Sequence, residues 1–83
     1  MSNKIADLGR EFYETHLKKI LEPEHNGKFV SIEPESGQYF LGKTGGLAIA
    51  AGNKIFPDKI LFLARIGYKT AYKIGGFNAN RNR

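Results

Sequence analysis

The chain predicts an α+β fold of α-β-β-α-β-β order, with about four strands in a mainly antiparallel sheet and the helices packed on it. Three observations lead there. Residues 3–22 repeat apolar side chains at helical spacing, two pairs of short apolar runs flank a second helical segment, and Pro23, Pro34 and Pro57 fall at the joints.

The first helix is expected over about 3–22. Ile5, Leu8, Phe12, His16 and Ile20 form one stripe, which Tyr13, Leu17 and Leu21 widen. Ser2 or Asn3 offers a cap, and Pro23 forbids continuation. A helix this amphipathic packs on its own sheet or on a partner.

Lys28 to Ile32 and Gln38 to Leu41 read as strands of a hairpin, joined by Glu33-Pro34-Glu35-Ser36-Gly37. The register stays open: Val30 and Ile32 share a face with Tyr39 and Leu41 or with Phe40. Thr44 to Phe56 is a second helix, capped by Thr44, with Leu47, Ala48, Ala51 and Ile55 as its expected buried stripe. Gly45, Gly46 and Gly52 weaken its intrinsic helicity and suit close approach to a sheet. Lys59 to Ile66 is apolar on both alternating sets, as a strand covered on both faces would be. Thr70 to Ile74 reads as a fourth strand. The domain is expected to span 1–76, and 77–83, mostly Asn and Arg, to form a flexible basic tail.

At 83 residues the chain can bury only about 60–65% of its unfolded surface. It has no cysteine, which excludes thiolate chemistry and disulfides and fits a reducing cytoplasm. Its first residues lack the apolar stretch of a signal peptide, and no run approaches a membrane span, so no membrane partner is expected. Charge is uneven. Residues 1–35 hold seven acids and five bases, whereas 36–83 hold eight bases and the single acid Asp58. The basic half suits nucleic acid or an acidic protein surface, or is ordinary solubility charge.

Catalytic signals are weak. Gly37 to Thr44 matches the phosphate-binding P-loop pattern in letters, but its spacer, Gln38-Tyr39-Phe40-Leu41, favours an extended strand over a glycine-rich cradle. His16 and His25 do not make a metal site, and Glu33 and Glu35 flank a turn proline expected in open solvent. No serine has a neighbouring base. Neither enzymatic activity nor a cofactor is expected. Lys43, Thr44, Gly45 and Gly46 could attract an anion at a helix start, although Thr44 as a cap explains them as well.

The better binding candidate is Arg65, Tyr68, Lys69, Tyr72 and Lys73, where cations and aromatics alternate. On nucleic acid these aromatics would stack on bases while Arg65, Lys69, Lys73, Arg81 and Arg83 contact phosphates.

His25 to Gly76 resembles a family of small, uncharacterised prokaryotic α+β domains. The residues that carry this are Gly27-Lys28-Phe29-Val30-Ser31-Ile32, Glu35-Ser36-Gly37-Gln38-Tyr39-Phe40-Leu41-Gly42, Phe56-Pro57-Asp58-Lys59 and Arg65-Ile66-Gly67-Tyr68. The chain departs from that family at Gly45, Gly46 and Gly52, where a charged, strongly helical segment is usual. The resemblance implies a compact α+β domain without known activity, from genes in compact bacterial operons, which suggests a cognate protein partner as in a toxin–antitoxin-like pair. Taken together, the sequence favours a non-enzymatic protein-interaction module that binds a cognate protein or itself through a sheet edge or the Arg65, Tyr68 and Tyr72 surface. Nucleic-acid binding is the alternative.

Overall fold

The computed structural model describes residues 4–68 and the backbone of 73–75. Its class is α+β, built on an antiparallel sheet. The N-terminal helix starts as α1 (Lys4–Phe12), widens into a π-helical turn (Tyr13–Leu17) and ends as α2 (Lys18–Leu21). Its buried residues, Gly9, Tyr13, Leu17 and Leu21, are spaced by four. In a regular α-helix of 3.6 residues per turn that spacing drifts around the axis, and the wider π turn offsets the drift. The stripe expected through Leu8 and Ile20 is therefore displaced, since both are exposed while Ile5 and Phe12 border the core. Gly9 lets the helix settle, because its Cα lies on the Phe62 side chain with no room for a Cβ. Glu22 is extended, as a residue before proline must be, and ends the helix.

Strands β1 (Phe29–Glu33), β2 (Gln38–Gly42) and β3 (Leu61–Arg65) run antiparallel with β1 between the other two, and a short β4 (Lys73–Gly75) pairs along β3. Val30 faces Leu41 and Ile32 faces Tyr39 across the β1–β2 ladder, so Tyr39 and Leu41 share the face of Val30 and Ile32. Residues 70–72 of the expected last strand, and the tail 77–83, lie outside the described residues.

The hairpin turn closes with the Gly37 amide donating to the Glu33 carbonyl at 2.9 Å, and Gly37 takes a φ of 80° that suits glycine. Glu33 is not in open solvent. It is 2% exposed, with its carboxylate accepting from the Ser36 amide at 2.8 Å and the Glu35 amide at 3.3 Å. A carboxylate that satisfies turn amides can be buried at little cost.

The helices cover opposite faces of the sheet. Tyr13, Leu17 and Leu21 pack with Val30, Ile32, Phe62, Ala64 and Ile66 on one side. On the other lies α3 (Gly45–Ile55), whose Ala48 carbonyl accepts a bond from the buried Ser31 hydroxyl. The expected buried stripe of α3 is corrected here. Ala48 is buried, but Leu47 and Ile55 are each 56% exposed, and the sheet is met by Gly45, Ala48 and Gly52 instead. A Cβ on Gly52 would lie 2.6 Å from Leu61 Cδ1 and 3.0 Å from Ser31 Oγ. The small stripe allows the helix backbone to reach the sheet, which turns the larger apolar residues outward.

Candidate protein-docking surface

Strand β2 lies at one edge of the sheet, with β1 on one side and no strand on the other among the described residues. Its sequence, Gln38-Tyr39-Phe40-Leu41-Gly42, contains no charge and no proline, and its five pairs with β1 run without a bulge. Monomeric proteins usually guard such edges with one of those devices, since the outward N–H and C=O groups template further pairing.

The apolar surface around this edge is concentrated. On the face shared with the N-terminal helix, Tyr39 and Leu41 are 38% and 36% exposed. The opposite face is set by α3, which leans over β2: a Cβ on Gly42 would meet the backbone of Ala48 and lie 2.9 Å from the Leu47 carbonyl carbon. With Gly45, Ala48 and Gly52 facing the sheet, residues 47, 51 and 55 fall four apart on the flank above the outer edge of β2, in the right-handed sense that a β2–α3–β3 connection takes. Four of the seven large apolar residues exposed among the described residues, Tyr39, Leu41, Leu47 and Ile55, thus gather around one strand. Reading the sequence for large apolar stripes missed them. The signals were the uncharged run at 37–42 and the small residues at 45, 48 and 52.

The expected basic and aromatic cluster is placed only in part. The Arg65 guanidinium stacks over Tyr68 at 4.2 Å and Phe29 at 5.4 Å, and its Nε donates to the Gly27 carbonyl at 3.3 Å. Arg65 thereby secures the end of the sheet, while Tyr68 is 52% exposed. Lys73 belongs to β4 and pairs with Leu63, and Lys69 and Tyr72 lie outside the described residues.

At the start of α3, Thr44 Oγ1 accepts from the Leu47 amide at 3.1 Å, so the cap explains the Lys43-Thr44-Gly45-Gly46 segment. Gly45 is pressed toward Leu63, and Lys43 is exposed. The preceding Gln38–Gly42 string is a paired strand and not a phosphate-binding loop.

Two hollows remain. Tyr13, Glu14, Lys18, Glu22, Gly67 and Tyr68 line a cleft of about 40 Å³, in which the Tyr13 hydroxyl donates to Glu22 Oε2 at 2.6 Å and accepts from the Gly67 amide at 3.4 Å. Burial, then the Glu22 hydrogen bond and its charge, push the Tyr13 phenol far above its ordinary range. This ties the N-terminal helix to the end of β3. A shallower groove of about 240 Å³ runs along Leu8, Phe12, His16 and Pro34, where His16 stacks on Phe12 at 4.8 Å. No helix is long and apolar enough to cross a membrane, and no group of three His, Asp or Glu residues is placed to hold a metal ion, among the described residues.

No family model, curated protein or solved structure matches the chain.

Proposed function

We propose that the chain is a non-enzymatic protein-interaction module that docks a cognate protein or a second copy on the open edge of β2. The observation that supports this is the gathering of Tyr39, Leu41, Leu47 and Ile55 about one uncharged edge strand. An added strand would take its affinity from the outward amides and carbonyls of β2, and its specificity from the apolar side chains above and below.

The test compares the tagged wild-type chain with Tyr39→Lys/Leu41→Lys. Both positions are partly exposed, so the fold should persist, which circular dichroism checks. Quantitative capture from lysate of the source organism should show a species, another protein or the chain itself, held by wild type and lost from the variant. Identical captured sets would overturn the reading.

Nucleic-acid binding by Arg65, Lys69, Lys73 and the Arg81 and Arg83 tail is the weaker account, since Arg65 already holds Gly27, Phe29 and Tyr68. It requires affinity for duplex DNA that falls steeply between about 50 and 200 mM salt.

A further inference from the structure

We infer that the occupant of the β2 edge is a second copy of this chain, paired antiparallel across a twofold axis at Phe40. This rests on the docking reading above and names its partner.

The strand is self-complementary. With Phe40 on the axis, Tyr39 of each copy lies opposite the partner's Leu41, and Gln38 opposite the partner's Gly42. Both apolar residues are partly exposed on the same face, and the axis repeats the aromatic–aliphatic pair twice. No like charges come face to face, because the strand has none.

The flanking charges select direction. Lys43 follows the strand and Glu35 precedes it, in the turn. Antiparallel pairing brings Lys43 of each copy to the end of the partner's hairpin turn, which carries Glu35, whereas in-register parallel pairing sets Lys43 beside the partner's Lys43. Glu35 accepts from Lys59 at 2.8 Å, and its side chain stays 68% exposed. An unrelated partner strand would require neither the charges nor the Tyr39–Leu41 spacing to be self-matching.

The same axis organises the layer above. It sets the two α3 helices side by side and antiparallel over a continuous sheet, each presenting the flank of Leu47, Ala51 and Ile55 to the other. The exposed apolar residues on both faces of the edge are covered by one operation, as an isologous interface requires.

The chain lacks cysteine, so single cysteines report the register. In this pairing position 39 is directly opposite position 41 of the partner. Two copies of position 39 are diagonal, about 7–8 Å apart and beyond disulfide reach. The expected result in light scattering of the purified full chain is twice the 9.3 kDa chain mass, falling to once that mass in Leu41→Lys. Mild oxidation of mixed Tyr39→Cys and Leu41→Cys chains, refolded together, should give a linked dimer several-fold faster than either variant alone. Equal rates in all three samples would overturn the register. A monomer at every concentration would overturn the second copy. In that case, a lysate capture that still separated wild type from Tyr39→Lys/Leu41→Lys would leave the docking reading standing, and identical captures would remove both.

Discussion

The Ser31 hydroxyl, on the buried central strand, donates at 2.7 Å to the Ala48 carbonyl of α3 and so fixes that helix over the sheet. A buried hydroxyl can hold this position only because Ala48 and Gly52 bring the helix backbone within reach. Ser31→Ala should cost about 1 kcal/mol, the usual net worth of such a bond, in urea denaturation. An unchanged midpoint would mean that packing alone holds α3.

The glycines divide into those that carry contacts and those that do not. Gly9→Ala forces a Cβ into the fully buried Phe62 side chain. It should destabilise by about 1–3 kcal/mol, despite alanine's helical advantage of about 1 kcal/mol. Gly46→Ala meets nothing closer than Thr44 Oγ1 at 4.0 Å and should stabilise by about 0.5–1 kcal/mol. Thermal melts of the two variants should move in opposite directions. A Gly9→Ala chain that melted at or above the wild-type temperature would deny the close approach at Gly9.

Much of this arrangement is legible in the residues. Pro34 and Gly37 mark the hairpin, Thr44 marks the start of α3, and the unbroken apolar run of Leu61 to Ala64 marks a strand buried on both faces. The orientation of α3 is not. Periodicity assigns the core face to the largest side chains, whereas closest approach assigns it to the smallest, and at Gly45, Ala48 and Gly52 close approach wins. The same competition places Gly9, rather than Leu8, under the N-terminal helix. Glu33 was misplaced for a different reason: its burial depends on the Ser36 and Glu35 amides turning back on it, a geometry that residue type alone does not display. Which strand forms the open edge escaped because strand order is a property of the whole sheet.

Glu33 makes stability depend on acid. Burial works to raise its carboxyl pKa, but the hydrogen bonds from Ser36 and the Glu35 amide, with the Lys59 charge, outweigh burial and hold it below the ordinary value. A carboxyl depressed in the folded state stabilises fully above its unfolded pKa of about 4.3, and that contribution is lost as pH falls through the lower folded value. The urea midpoint should therefore drop below about pH 4–5 more steeply in wild type than in Glu33→Gln. A wild-type chain that gained stability on acidification relative to Glu33→Gln would show that burial dominates.

Tyr13 acts at the other end of the scale. Its phenol is raised in the folded state, so its contribution is complete below the unfolded value of about 10 and is lost as pH rises further. Tyr13→Phe should cost about 1 kcal/mol at neutral pH, through the lost Glu22 bond, and should flatten the alkaline fall in stability. An alkaline limb of equal steepness in the variant would assign that titration to another group.

The outward flank of α3 is tested by Leu47→Gln/Ile55→Gln. At high dilution, where each copy is alone, two side chains that are 56% exposed should contribute little, and stability should change by about 0.5 kcal/mol or less. Buried residues of this size would cost about 2–5 kcal/mol each, which would place them in the core and rotate the helix. Concentration then separates exposure from docking. If the flank meets a second copy, association stabilises only the folded chain, so the wild-type midpoint rises with concentration while that of the variant stays nearly level. Midpoints that coincide at every concentration would leave Leu47 and Ile55 outside the interface and confine pairing to β2 itself.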